Sequence, residues 1–188
     1  EEDMRIITAL PLAAAILFAS PAMARDNRPV ACIYAKAMRV KRPDLLALVR
    51  SGFRPVSGAE KDAMMTLGAG VSACRGQYGW SEKKQGIALR YLSATVLRED
   101  AVYQGKKFGL TDEMLTGLVG TLDAAGRAAY LAGQPGAALS TAAFAYLKNA
   151  GLVIDSLTPE DSATVNHAIA EGVTGIIAQQ DAEKEYAA

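Results

Sequence analysis

Apolar side chains recur every three or four positions through most of the chain, the spacing of one face of an α-helix. The clearest case follows Thr111, where Asp112, Thr116, Asp123 and Arg127 fall on the opposite, polar face. We therefore predict one amphipathic helix that continues to the Gly133-Gln134-Pro135 break. Its predicted buried positions are Leu115, Leu118, Val119, Leu122, Ala125 and Ala129.

Start and stop signals divide the rest of the chain into further helices. Ser57-Gly-Ala-Glu60 is a capping box, Thr158-Pro159 opens the last helix, and Gly109 and Gly151 are typical helix ends. Leu152-Val153-Ile154 is a short apolar connector that an extended segment would suit. The fold class predicted for residues 25–188 is all-α, a single domain with an irregular bundle of six or seven helices. The last helix is expected to bury Val165, Ile169, Val173, Ile176 and Ile177.

The first 24 residues have the pattern of an export signal. Met4-Arg5 gives a positive start, residues 6–18 are almost entirely apolar, and Ala22-Met23-Ala24 ends the segment with small residues. The apolar run is shorter than the roughly 20 residues that a membrane-spanning helix needs. We predict a signal peptide over residues 1–24, with a leading acidic remnant, and a mature protein that begins at Arg25. The predicted location is periplasmic or secreted, and an uncleaved N-terminal anchor is the alternative.

The two cysteines are Cys32 and Cys74. A lone pair in an exported protein most simply forms a disulfide bond, here closing a loop of about 43 residues. The alternative is a reactive thiol at Cys74. A nucleophilic cysteine needs a base, and the sole histidine, His167, is distant in the sequence.

Positive and negative charges are unevenly distributed along the chain. Residues 25–107 contain 16 basic and 7 acidic side chains, whereas residues 108–188 contain 3 basic and 10 acidic ones. Such asymmetry indicates either internal neutralisation or an anionic partner. The densest cluster comprises Arg39, Lys41 and Arg42. It is the candidate site for an acidic protein, an anionic lipid or lipopolysaccharide, and a solvated surface is the alternative.

Three other residue groups suggest chemistry only weakly. His167 and Glu171 are one helical turn apart and would supply two metal ligands, fewer than the three or four of a stable zinc site. Glu99 and Asp100 are neighbours on a helix, so their side chains diverge by about 100°. Residues 68–70 lack the pattern of a phosphate-binding loop, and their glycines favour close helix packing.

The chain has an early cysteine, a helix start of the type Pro43-Asp44-Leu45-Leu46 and a second cysteine. In this pattern the chain resembles a group of small, exported, two-cysteine helical proteins of Gram-negative bacteria. The resemblance covers roughly residues 30–75 and implies no activity.

Two hypotheses of function follow from the sequence. The first is a non-enzymatic interaction module that acts by contact with a protein or the cell envelope. The second is a hydrolase of cell-wall or carbohydrate material, whose Asp and Glu residues meet only in the folded chain. The sequence contains no catalytic, cofactor or metal motif, and it predicts neither a cofactor nor a nucleic-acid partner.

Overall fold

The computed structural model describes residues 29–188, and these residues fold as helices without strands. The predicted all-α class is confirmed. The predicted signal peptide and the Arg25 N-terminus lie outside the described residues. Short 3₁₀ segments, Pro29–Ala31 and Lys106–Phe108, precede α1 and follow α4. The helices are α1 (Cys32–Ala37), α2 (Arg42–Arg50), α3 (Gly58–Tyr78), α4 (Glu82–Gly105), α5 (Asp112–Thr121), α6 (Ala124–Leu131), α7 (Gly136–Asn149) and α8 (Pro159–Ala187).

Side-chain caps begin α3 and α8 at the positions that the sequence predicts. The Ser57 hydroxyl accepts a hydrogen bond from the Glu60 amide at 3.1 Å, and the Glu60 carboxylate accepts one from the Val56 amide at 2.8 Å. Thr158 accepts from the Asp161 amide at 3.1 Å, where α8 begins. These bonds satisfy backbone donors that have no partner within the helix.

The long helices α4 and α8 form the centre of the bundle and run antiparallel. Arg90, early in α4, pairs with Glu185 near the end of α8. Further along α4, the Arg98 guanidinium donates to the Gln179 side chain at 2.8 Å. Since these partners are far apart in the sequence, the pairing of α4 with α8 closes the fold.

Two glycines of α8 allow its backbone to approach neighbouring helices. A β-carbon at Gly175 would lie 2.8 Å from the Ala94 carbonyl oxygen and 3.1 Å from Arg98 Cβ. A β-carbon at Gly172 would lie 2.5 Å from Leu115 Cδ1. Both distances are too short for a real side chain, so the close packing of α8 depends on glycine at these positions.

Buried apolar residues form one cluster around α5, α7 and α8, and another around α1 to α4. The five positions predicted for α8 are all buried, which confirms that stripe. The α1–α4 cluster includes Ile33, Leu48, Leu67, Cys74, Trp80 and Leu92.

The single helix predicted after Thr111 is wrong, because the chain breaks at Leu122. That residue is extended (ψ 131°), and the Asp123 carboxylate accepts from the Gly126 amide at 2.7 Å, which starts α6. Aspartate at an N-cap satisfies a free backbone donor, and here this outweighs continuation of the helix. The break shifts the helical register. Ala125 is therefore exposed, Tyr130 becomes the buried residue of α6, and the described helices number eight.

The connector after α7 is irregular rather than a strand. Leu152 is buried, and the Val153 amide donates to the Phe108 carbonyl at 3.1 Å. This backbone bond joins the connector to the 3₁₀ segment that follows α4. Between Pro29 and Ala188, no helix has both the length and the apolar composition needed to cross a membrane.

Candidate functional site

A disulfide bond joins Cys32 to Cys74, with 6.0 Å between the two Cα atoms. The prediction of this bond is confirmed, and the reactive-thiol alternative at Cys74 is excluded because the sulfur is already bonded. The disulfide ties α1 to α3. A β-carbon at Gly70 would lie 2.9 Å from Lys36 Cβ, so this glycine permits the close approach, whereas Gly68 has nothing within 4 Å.

The predicted basic cluster lies at the turn between α1 and α2. Arg39, Lys41 and Arg42 are all exposed. Arg39 and Lys41 make no ion pair within residues 29–188. Their charges therefore remain available to a partner.

Exposed apolar side chains border these cations. The Arg42 guanidinium carbon lies 5.8 Å from the centre of the Tyr103 ring, and Tyr103 is 71% exposed. Met38, next to Arg39, is 62% exposed. The sequence did not reveal this neighbourhood, because Tyr103 is on α4, far along the chain. We use the term basic patch for Met38, Arg39, Lys41, Arg42, Tyr103 and the exposed Lys106, which follows Tyr103 by about one helical turn.

Glu99 positions the inner edge of the basic patch. Its carboxylate accepts a hydrogen bond from the Tyr34 hydroxyl and lies 3.5 Å from Arg42 Nη1. Burial raises the pKa of Tyr34 well above its usual value, and the bond to Glu99 raises it further. Glu99 thus supports Arg42, and its partners differ from those of Asp100.

Asp100 is buried and bonds instead to Arg50, at 3.1 Å, and to Gln104. The same Arg50 nitrogen donates to both oxygens of Glu171, at 2.9 and 2.8 Å. His167 is exposed, and its Nε2 lies 3.4 Å from Glu171 Oε1. The structure therefore joins Asp100, but not its neighbour Glu99, to the Glu171–His167 pair, which the sequence treats separately. Arg50 carried no sequence signal for this role, since it lies on a third helix.

The Asp100–Arg50–Glu171–His167 cluster has a defined chemical character. Arginine keeps its proton in proteins, so Arg50 serves as a bridge between the carboxylates rather than as an acid. Residues 29–188 contain no group of three or more His, Cys, Asp or Glu side chains placed to hold a metal ion. The cluster can therefore accept hydrogen bonds through the Glu171 carboxylate at the surface of α8.

Next to this cluster, two adjoining cavities of about 190 and 280 Å³ form a groove between α6, α7 and α8. Helix α7 packs mainly on α5, which leaves space between α7 and α8. Tyr130, Pro135 and Ala170 border both cavities. The first also includes Leu97, Gly133, Glu171 and Thr174, and the second includes Ser140, Ala143, Phe144, Asn166, His167 and Ile169.

Part of the charge asymmetry is neutralised inside the molecule. Among the described residues, four ion pairs join the basic segment (residues 25–107) to the acidic segment (residues 108–188). Lys107 holds the pKa of Asp161 below its usual range through a hydrogen bond. The Arg39 and Lys41 charges stand outside these pairs. The four pairs are Arg50–Glu171, Arg90–Glu185, Arg98–Asp112 and Lys107–Asp161.

No known protein family, curated protein or solved structure matches this chain. The resemblance to exported two-cysteine helical proteins therefore stays a prediction.

Proposed function

We propose that this chain is an exported helical module that binds an anionic envelope surface through the basic patch. The recognised chemistry is the phosphate group of an anionic lipid or of lipopolysaccharide. One observation carries the proposal: Arg39 and Lys41 have no acidic partner among the described residues, and the same patch exposes two apolar side chains, Met38 next to Arg39 in the chain and Tyr103 against Arg42.

Cations and apolar groups contribute differently to binding at such a surface. A lysine or arginine near an anionic leaflet contributes about 1 kcal/mol. Tyrosine suits the interface, since its ring is apolar and its hydroxyl stays hydrated. Arg39, Lys41 and Tyr103 together therefore favour shallow, peripheral attachment.

The disulfide supports this proposal in two ways. It is the usual state of paired cysteines in an oxidising compartment, which agrees with the predicted export. It also fixes α1 against α3, so the turn that carries Arg39 and Lys41 is anchored at Cys32. A fixed turn loses little conformational entropy when it binds.

The hydrolase hypothesis is less well supported by the site. It requires a pocket into which two carboxylates open. The two cavities of the groove include Glu171 but not Asp100, and Arg50 lies between these carboxylates.

Co-sedimentation with lipid vesicles tests the proposed function. We expect the protein to sediment with phosphatidylglycerol vesicles and with lipopolysaccharide aggregates at low salt, but not with phosphatidylcholine vesicles. Raising the salt to about 0.15 M shortens the screening length to about 8 Å and should release most of the bound protein. Binding to neither anionic surface at low salt would contradict the proposal and favour the acidic-protein partner.

Replacement of Tyr103 separates the apolar contribution from the charge. We expect Tyr103→Ser to weaken binding while the dependence on salt stays the same, because the cations remain. Val153→Ser is the matched control, since Val153 is also exposed but lies on the connector after α7. Equal effects of the two replacements would contradict a role for Tyr103.

A further inference from the structure

The phenol of Tyr130 is an unusual feature of the groove. Tyr130 is only 3% exposed and borders both cavities, yet its hydroxyl has no hydrogen-bond partner within residues 29–188. In this part of the chain, every fully buried side-chain polar atom has a partner. The Tyr130 hydroxyl must therefore be accessible to solvent. The groove is the open space that Tyr130 borders.

The groove also has a negative charge at one end. Asp100 and Glu171 share a single cation, Arg50, which leaves one negative charge in excess. All the contacts from Arg50 come from one nitrogen, Nη2. Glu171 accepts two hydrogen bonds from Arg50, lies 3.4 Å from His167 Nε2 and borders the first cavity. Because a carboxylate can accept about four hydrogen bonds, Glu171 keeps acceptor capacity.

The remaining wall of the groove is mostly apolar. Leu97 and Pro135 border the first cavity, and Phe144 and Ile169 border the second. Ligand pockets of this kind combine apolar walls with a few polar groups that fix orientation. Cavities of 190 and 280 Å³ suit a small molecule with one ring or a short chain.

We propose that the groove binds a small amphipathic amine, with its ammonium group at Glu171 and its apolar body between α7 and α8. An ammonium group is a hydrogen-bond donor only, which matches the unused acceptors of Glu171. The Tyr130 hydroxyl supplies a second acceptor, and the Tyr130 and Phe144 rings supply aromatic surface. This site is separate from the basic patch and differs from it in the sign of its charge.

A titration followed by NMR tests the site, with phenethylamine as the probe. We expect saturable shifts of the Ala143, Ala170 and Thr174 methyl signals. Phenylacetate has a similar body with the opposite charge and should bind at least about tenfold more weakly. No saturable shift with phenethylamine, or equal binding of the two compounds, would overturn the proposal.

Two replacements distinguish the contributions of charge and space. Glu171→Gln should weaken phenethylamine binding about tenfold, the usual effect of losing a hydrogen bond to a charged group. Glu82→Gln is the matched control, since Glu82 begins α4, about 22 Å along the helix from Leu97. An equal loss in the two variants would overturn the assignment of the ammonium to Glu171.

Glu171→Gln also weakens the bridge to Arg50, so a second variant leaves every charge in place. Ala170 borders both cavities, and Ala170→Leu would fill the space between them. Leucine is a good helix former, so α8 should remain intact. We expect this variant to lose binding while its circular dichroism is unchanged. Unchanged binding would exclude the groove as the site.

Discussion

Arg50 Nη2 lies 2.8 Å from Glu171 Oε2, across 121 positions of the sequence. Because the same nitrogen also bonds to Asp100, one guanidinium connects α2, α4 and α8. The contact holds α2 against the central helix pair. Arg42 of the basic patch lies at the other end of α2. The ion pairs of Arg50 therefore help to hold the patch in place, although Arg50 is not part of it.

Loss of Arg50 should destabilise the fold. Arg50→Met leaves the buried Asp100 without its cation, and we expect the free energy of unfolding to fall by about 1–3 kcal/mol. Arg54→Met is the matched control, because Arg54 is exposed and forms no ion pair among the described residues. Urea unfolding of both variants provides the measurement. Similar stability of the two would contradict a structural role for Arg50.

Substitution of Gly175 should separate α4 from α8. In Gly175→Ala the new methyl group would lie 2.8 Å from the Ala94 oxygen, so the helices must shift, at a cost of about 1–3 kcal/mol. Gly68→Ala has open space, and its higher helix propensity should add about 0.5–1 kcal/mol. Thermal unfolding compares the two variants. A stabilised Gly175→Ala protein would show that the α4–α8 packing is looser than described.

Tyr34 should make stability depend on pH in the alkaline range. Burial and the bond to Glu99 raise the pKa of Tyr34 above its ordinary value of about 10. The unfolded chain therefore releases this proton first, so the stabilisation is complete below about pH 10 and declines as the pH rises further. Urea unfolding should show a difference in stability between wild type and Tyr34→Phe that is constant up to about pH 10 and shrinks as the pH rises further, to about pH 11. If the stabilities of the two proteins ran parallel across this pH range, the raised pKa of Tyr34 would be contradicted.

The disulfide should account for a large share of the stability. On the chain-entropy account, removing it through Cys32→Ser with Cys74→Ser costs about 4 kcal/mol. We expect a correspondingly lower urea midpoint for the double variant. Alkylation of the unreduced, denatured protein should label neither cysteine, and labelling of both would contradict the bond itself.

The sequence predicted those features of the fold that local chemistry determines. The Ser57 and Thr158 caps, the buried face of α8 and the Cys32–Cys74 bond are confirmed. The periodicity places Asp123 on the polar face of one long helix, whereas in the structure Asp123 is the N-cap of α6. Periodicity alone does not distinguish a polar residue within a helix from one that begins a new helix.

The candidate sites depend on contacts between distant segments, so the sequence predicted them only in part. Arg39, Lys41 and Arg42 lie within four positions of the chain, so the local density of basic residues identifies them. Tyr103 joins them only because α2 crosses α4. Arg50 likewise meets Glu171 through the packing of three helices. Contacts of this kind join residues that are far apart in the chain, so no local sequence pattern predicts them.

The most direct test of the proposed function compares two double variants on phosphatidylglycerol vesicles. Arg39→Ser with Lys41→Ser removes two cations of the basic patch that have no acidic partner among the described residues. The control, Lys83→Ser with Lys84→Ser, removes the same charge from the start of α4. At about 1 kcal/mol for each cation, we expect the first variant to bind about 30-fold more weakly than wild type, and the control to bind nearly as well as wild type. Equal losses in the two variants would mean that binding follows net charge alone, and would contradict a site at the basic patch.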